Sequence, residues 1–264
     1  MRLKNKIAIV VGGGQTKGDT IGNGRASALL FAREGATVML VDRDLASAQE
    51  TQAMIEKEGN QAWSFRADIT READCQAFAK ACKEKHGRID CLHNVVGIGI
   101  SAPAARHFDE DVWDETMNVN LKAMMFSCKH VLPYMREQRG GSIVNISSIA
   151  AVCWDSVVAY KTSKAGVNAL THFLAMNNAE YGVRANVIMP GKVDTPMAIE
   201  GHVQARNIDK NALRAERDAH IPLRHKMGTA WDIAHASLFL HSDEARFITA
   251  VVLPVDGGES ARIG

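Results

Sequence analysis

Ile7-Ala8-Ile9-Val10-Val11-Gly12-Gly13-Gly14, then Gly22-Asn23-Gly24-Arg25, then Thr37-Val38-Met39-Leu40-Val41-Asp42 is the stretch on which the fold turns. Lys6 to Val11 is a short apolar run of strand type, and Gly12 to Gly24 is a glycine-rich loop. Ala26, Leu29, Leu30 and Arg33 follow at helical spacing, with Gly35 as the stop. Thr37 to Val41 is a second strand that ends at Asp42. Strand, glycine turn, helix, strand and acid together suit a dinucleotide. Glycines at Gly12, Gly22 and Gly24, with Asn23, let the backbone approach a pyrophosphate, and the helix N-terminus supplies N–H donors. Asp42 is placed to accept hydrogen bonds from a ribose, or else simply to cap a turn. An acid there repels a 2′-phosphate, which favours NAD, whereas Arg43 and Lys17 are the cations that would accommodate NADP.

The same beat continues along the chain. Asp44 can cap a helix running to about Glu58; Ala62 to Ala67 reads as a strand, Glu72 to Lys85 as a helix and Asp90 to Val96 as a strand. A long helical region covers Asp111 to Arg136, with Pro133 perturbing its last turns. Ser142 to Ser147, Arg184 to Met189 and Val251 to Val255 are strands, and Val157 to Asn178 and Trp231 to Leu240 are helices. Residues 195–226 are polar and helical without a strand of their own, which suits a lid. About seven strands separated by helices imply a parallel sheet covered on both faces. With no linker and no repeat, residues 1–264 read as one doubly wound α/β domain of Rossmann type.

Composition removes other classes. Lys plus Arg number 31 against 30 Asp plus Glu, so no basic footprint for nucleic acid or an anionic membrane is expected. No apolar run approaches the roughly 20 residues of a membrane span. Met1 to Lys6 is basic, but the apolar run after it is too short for a signal peptide, so a cytoplasmic protein is expected. Five cysteines without a Cys-x-x-Cys pair suggest reduced thiols, and ten histidines without ligand spacing suggest no metal.

Tyr160-Lys161-Thr162-Ser163-Lys164 puts Tyr160 and Lys164 one helical turn apart on one face. A cation there favours the phenolate and tunes Tyr160 toward proton transfer. Such a pair is common on surface helices, but it has company. Ser148 closes a strand 12 residues earlier, Asn120 lies in Met117-Asn118-Val119-Asn120, and Asn94 and Gly97 lie in His93-Asn94-Val95-Val96-Gly97. Pro190-Gly191-Lys192-Val193-Asp194-Thr195 follows a further strand. All fall at carboxyl ends of strands or on adjoining helices, where open parallel sheets bind ligands.

Together these residues resemble the short-chain dehydrogenase/reductase family, in its Tyr-x-x-x-Lys branch, from Lys6 to Gly258. The resemblance implies that Tyr160 is the general acid/base, that Ser148 holds the substrate oxygen and that Lys164 also binds the nicotinamide ribose. Asn120 would hold a water of a proton relay. Asp68, with Ile69, would flank the adenine, and Asn94 matches the family's structural Asn. Val193 and Thr195 would contact the nicotinamide amide, with Pro190-Gly191 shaping that pocket. Val255-Asp256-Gly257-Gly258 resembles the family's C-terminal signature and implies a homotetramer or dimer. Ser147 competes with Ser148; strand alternation turns the two to opposite faces, and the family pattern selects the second.

The chain departs from the family in three places. Nine residues separate Gly12 from Gly22, consistent with an insertion in Gln15 to Thr20. Enoyl reductases of the superfamily also have an enlarged loop, but their Tyr and Lys stand further apart. Val95-Val96 replaces a usual alanine, and Ala250 stands where glycine commonly precedes the last strand. The expected reaction is NAD-dependent interconversion of a secondary alcohol and a ketone. The alternatives are an NADPH-dependent 3-oxoacyl-(acyl-carrier-protein) reductase and a non-catalytic nucleotide-binding protein, the latter expected to lack the catalytic residues. Ile98 to Ser101, Ala150 to Val158 and Asp194 to Lys226 are expected to line the pocket. Val152, Trp154, Met197 and Ile199 there suggest an apolar substrate. His202, Arg206, Lys210, Arg214 and Arg217 invite an anionic one, but Glu200, Asp209, Glu216 and Asp218 among them favour a solvated lid.

Overall fold

The computed structural model describes residues 1–99, 109–153 and 157–262. Its centre is β1 (Ile7–Val11), which pairs in parallel with β2 (Thr37–Asp42) on one side and β4 (Cys91–Asn94) on the other. With β3 (Ala62–Arg66), β5 (Gly141–Ile146), β6 (Val183–Pro190) and β9 (Val252–Val255) the sheet has seven strands, ordered β3-β2-β1-β4-β5-β6-β9. The chain winds outward from β1 to β3, then returns to lay β4 against β1. That reversal opens a crevice at the carboxyl ends of β1 and β4, the ligand position of such sheets.

Alternation along β1 divides the core. Ile9 and Val11 join Met39, Val41, Phe78 and Met135 on one face. Ala8 and Val10 join Val38, Leu40, Leu29, Phe31 and Leu238 on the other. A period of two thus explains why these strands are apolar throughout, since both faces are covered. The helices on the second face include α1 (Asn23–Arg33), α2 (Leu45–Lys57) and, much later, α9 (Ala230–His241). Helix α3 (Glu72–His86), α5 (Ala123–Glu137) and α6 (Val158–Asn178) cover the first. The expected cap of α2 is present, with Asp44 accepting the Ser47 N–H at 3.2 Å. No described helix is long and apolar enough to cross a membrane.

Two local readings change. The strand read over Asp90 to Val96 is only Cys91–Asn94, because the chain after Asn94 leaves the sheet for the cleft. The long helix is α4 (Glu110–Met117), a π turn over Asn118–Lys122 and then α5, which continues through Pro133 to Glu137. Residues 195–226, read as helical without a strand of their own, contain none, and a second, two-stranded sheet brackets them. Its β7 (Val193–Asp194) pairs with β8 (Gly228–Thr229), and α7 (Pro196–Arg206) and α8 (Lys210–Ala219) lie between them. Two-residue strands are too short to show a period. Ile199, Leu213, Ile221 and Met227 give this lid its own small core.

Candidate active site

The glycine loop packs backbone on backbone. A Cβ on Gly24 would lie 1.8 Å from the Gly12 carbonyl oxygen, so no other residue fits there. Gly12 itself has φ +92°, a left-handed conformation that favours glycine. The N-terminus of α1, just beyond, has no side-chain cap and no acid in its first turn. Asn23 borders the cavity that Tyr160 and Lys164 also line, and its Oδ1 is buried with no hydrogen-bond partner among the described residues. A backbone cradle with free N–H donors at the start of α1 fits a dinucleotide phosphate, while the unpaired Asn23 Oδ1 can accept only from a hydroxyl or N–H group. The enlarged loop is closed by Gln15, whose Oε1 accepts the Gly22 N–H at 2.9 Å and whose own N–H reaches Ser47 Oγ at 2.9 Å.

Asp42 both caps the turn and faces the loop. Its Oδ2 accepts the Gly14 N–H at 2.9 Å and its Oδ1 the Asp44 N–H at 3.0 Å. A carboxylate has about four acceptor positions, so ribose hydroxyls can still bind. Arg43 beside it is exposed. Asp68, beyond β3, accepts from the Thr70 hydroxyl at 2.7 Å and its N–H at 3.0 Å, which holds its carboxyl below the usual range. Ile69 is 7% exposed and its side chain belongs to the core, leaving only its backbone for a cofactor. Asn94 is buried at the end of β4. Its amide donates to Asn145 Oδ1 at 2.8 Å and accepts from the Ser127 hydroxyl at 2.7 Å, so it braces β4 against β5 and α5.

Helix α6 brings Tyr160 and Lys164 to the cleft. Lys164 donates from Nζ to the Ile146 carbonyl at 3.1 Å, and its burial lowers its pKa to about 8. A Cβ on Gly97 would meet that Nζ at 2.9 Å, so glycine there keeps the ammonium's place clear. Tyr160 lies one turn earlier, facing the same cavity. The two serines separate as alternation requires. Ser147, 3% exposed, donates its hydroxyl to the Lys164 carbonyl at 2.8 Å, whereas Ser148 Oγ accepts the Ala150 N–H at 3.2 Å. Lys161 pins the turn after Ser148 by donating to the Ala150 carbonyl at 3.1 Å and the Cys153 carbonyl at 2.5 Å.

Asn120 sits in the π turn, fully buried. Its Oδ1 accepts the Ile98 N–H at 2.7 Å, and its Nδ2 donates to the Ile98 carbonyl at 2.9 Å and Ser163 Oγ at 3.1 Å. It thereby ties the loop after β4 to α6.

Gly97, Ser148, Tyr160, Lys164, Pro190, Gly191, Val193 and Thr195 border one cavity of about 880 Å³ with Asn23. Gly12 and Asp68 follow β1 and β3, and Asp42 ends β2, along the same edge of the sheet. A second cavity of about 630 Å³ opens at the amino ends, near Lys6, Asp90 and Ser142, and holds none of these groups. Of the residues expected to make the pocket apolar, Met197 borders the cavity. Val152 is 61% exposed and does not border it, and Ile199 is packed inside the lid. Ile100, Ser101 and Trp154 lie outside the described residues. Gln15, Lys161 and Ser47 escaped the sequence reading because their partners are backbone groups fixed only by the fold.

A family profile described as Enoyl-(Acyl carrier protein) reductase matches residues 19–260. The chain belongs to the short-chain dehydrogenase/reductase family. This short-chain dehydrogenase/reductase is 35% identical over 261 residues to the 3-oxoacyl-(acyl-carrier-protein) reductase FabG of Thermotoga maritima, covering 98% of this chain and 99% of that one. It is 32% identical to levodione reductase of Leifsonia aquatica, covering 98% and 96% of the two chains. The crystal structure of a levodione reductase superposes with a TM-score of 0.93 at 31% identity, over 99% of this chain and 100% of that one. These relatives are reductases, and membership of their family makes this chain an oxidoreductase.

Proposed function

We propose that the chain is an NAD-dependent oxidoreductase that interconverts a secondary alcohol and a ketone, with Tyr160 as general acid/base. The observation that carries this is the meeting of Ser148, Tyr160 and the buried Lys164 on one cavity wall, beside Asn23. When bound, a nicotinamide cofactor supplies the acceptor or donor of hydride. The chain's residues do the rest. Because Ser148 Oγ accepts the Ala150 N–H, its proton is left to donate to the substrate oxygen. Tyr160 takes the hydroxyl proton in oxidation and returns it in reduction. A phenol has a pKa near 10, and the Lys164 cation favours its ionised form. Gly12, Gly22, Asn23 and Gly24 would hold the pyrophosphate, Asp42 the adenosine ribose, and Val193 and Thr195 the nicotinamide end.

Four-residue spacing of Tyr160 and Lys164 beside Ser148 supports carbonyl chemistry over the enoyl reduction in the profile's description. The Thermotoga relative favours a second reading, reduction of a 3-oxoacyl group with NADPH. Asp42 opposes it by repelling a 2′-phosphate. A panel of secondary alcohols and ketones with NAD and with NADP, followed by absorbance of the reduced cofactor, tests both. A strong NADP preference overturns the cofactor assignment, and no turnover of any member overturns the reaction. We also propose self-association, supported by Phe173 and Met176 exposed on α6 (61% and 58%), and tested by sedimentation.

A further inference from the structure

The structure sorts the basic residues of the lid. Arg206 meets Glu216 through two hydrogen bonds, 2.9 and 2.8 Å, and Arg214 meets Asp194 through two, 3.0 and 3.3 Å. Lys210 lies between Asp19 at 3.0 Å and Glu200 at 2.8 Å. Asp209 caps α8, and Asp218 accepts the Met227 N–H at 2.7 Å. Every lid acid named above therefore has a partner, and none of them is paired with Arg217.

Arg217 borders the catalytic cavity on the same wall system as Ser148 and Tyr160. Its Nε reaches the Met227 thioether at 3.4 Å, a weak acceptor, and among the described residues no carboxylate lies within ion-pair distance of it. Glu259, the carboxylate bordering this cavity, is taken up by the Lys192 ammonium and accepts the Lys192 N–H at 3.1 Å. His202, on α7, borders the cavity too, and burial together with the nearby Arg217 cation keeps it below its usual pKa. Burial holds the Arg217 guanidinium below its usual pKa, with Glu259, Asp194 and Glu216 opposing that from beyond ion-pair distance, and its planar fork matches an oxyanion. Arg262, a further cation on the wall, is exposed and correspondingly screened.

We infer that Arg217 is a specificity-determining residue that binds an oxyanionic substituent of the substrate, so that the alcohol and ketone are a hydroxy acid and its keto acid. His202 adds a neutral hydrogen-bonding group beside it. This inference rests on the reading of the cavity as the site of alcohol oxidation.

The test uses the full chain, NAD and a series of short secondary hydroxy acids, from hydroxybutanoate to hydroxyhexanoate, each beside its methyl ester. For at least one chain length, kcat/KM for the acid is expected to exceed that for the ester by roughly 10- to 100-fold. That ratio collapses in Arg217→Met, returns partway in Arg217→Lys and persists in Arg206→Met, whose guanidinium is held by Glu216. Equal use of acids and esters by the wild type, or a ratio unchanged in Arg217→Met, overturns the inference. Thermal stabilisation of the NADH complex by the corresponding keto acids gives a readout that needs no turnover. If nothing is oxidised, the alcohol-oxidation reading fails, and the subsite is decided by this binding alone. Greater stabilisation of the wild type than of Arg217→Met supports it, and equal stabilisation overturns it.

Discussion

Lys164 holds its ammonium 5.7 Å from the centre of the Tyr160 ring, one turn along α6, and anchors it on the Ile146 carbonyl at 3.1 Å. The strand thus fixes the cation while the helix fixes the phenol, and the distance between them is set by two elements that cannot shift independently. In the proposed reaction the phenol is the group that titrates. Tyr160→Phe is expected to lower turnover by roughly 10²- to 10⁴-fold. NAD affinity, read by fluorescence titration, should stay near the wild-type value. Near-normal turnover would remove Tyr160 from the reaction.

The Lys164 charge also predicts a pH effect. Alcohol oxidation needs the phenolate, so its rate rises with pH as Tyr160 ionises. A neighbouring cation moves that rise to lower pH, and its loss moves it back by about 1 unit or more. In Lys164→Met the midpoint of the oxidation profile should therefore lie higher than in the wild type. The measurement is kcat against pH at saturating NAD and alcohol; an unmoved midpoint would leave Lys164 with a structural role alone.

Gln15 bears on the cofactor loop. Its Oε1 holds the Gly22 N–H and its Nε2 lies 3.4 Å from the Thr20 carbonyl, so one side chain closes the enlarged loop. Gln15→Ala removes a hydrogen bond with a net value of about 0.5–1.5 kcal/mol. NAD dissociation constants are expected to rise roughly 3- to 10-fold, since that energy is lost where the pyrophosphate cradle is held. Calorimetric titration with NAD checks this.

Gln15 also marks the boundary of what the sequence makes legible. Short apolar runs bounded by glycine and Asp42 placed β1 and β2, the Asp44 cap placed the start of α2, and helical spacing paired Tyr160 with Lys164, because these signals are local. Strand alternation likewise separated Ser148 from Ser147. The partners of Gln15 are backbone groups, and a loop sequence does not declare which side chain will reach them. The lid shows the same limit. Arg206, Arg214 and Arg217 look equivalent along α7 and α8, yet Arg214 finds Asp194 across the base of the lid and Lys210 finds Asp19 from the glycine loop, 191 residues away. Only the tertiary arrangement leaves Arg217 to the cavity. The π turn around Asn120 belongs with these, since the hydrogen bonds of Asn120 run to Ile98 and Ser163 on other segments.

Ala250 supplies a stability prediction. It has φ +61°, a left-handed conformation that costs an L-residue with a side chain about 1–2 kcal/mol relative to the ordinary helical region. Its N–H is held by the Ala185 carbonyl at 2.8 Å, so the backbone cannot easily relax. This explains why glycine suits the position. Part of the gain from Ala250→Gly is offset by the greater freedom of glycine in the unfolded chain, leaving a net stabilisation of about 0.5–1 kcal/mol. Urea unfolding at neutral pH should show a higher midpoint with an unchanged slope.

His93 and His241 make the fold sensitive to acid. They are 0% and 3% exposed, with ring centroids 5.5 Å apart, and Phe31 meets each edge-on at 5.3 Å. His93 Nε2 lies 3.1 Å from Ser27 Oγ and His241 Nδ1 lies 3.2 Å from Ser142 Oγ, while His93 Nδ1 and His241 Nε2 have no hydrogen-bond partner among the described residues. Burial pushes His93 down to about 3 and His241 well below its ordinary value. In the unfolded chain both titrate near 6.5. Below that pH the unfolded state takes up protons that the folded state refuses, so stability falls as pH falls, and for His93 the loss continues until about pH 3. Above about 7 neither group contributes a slope. Each histidine adds about 1.4 kcal/mol of lost stability per pH unit once the unfolded form is protonated. Urea unfolding at successive pH values between about 7 and 5 is expected to show this decline. In His93→Gln the slope should fall by about one proton, whatever the variant's absolute stability. A slope unchanged by that substitution would mean that His93 carries its proton in the folded protein.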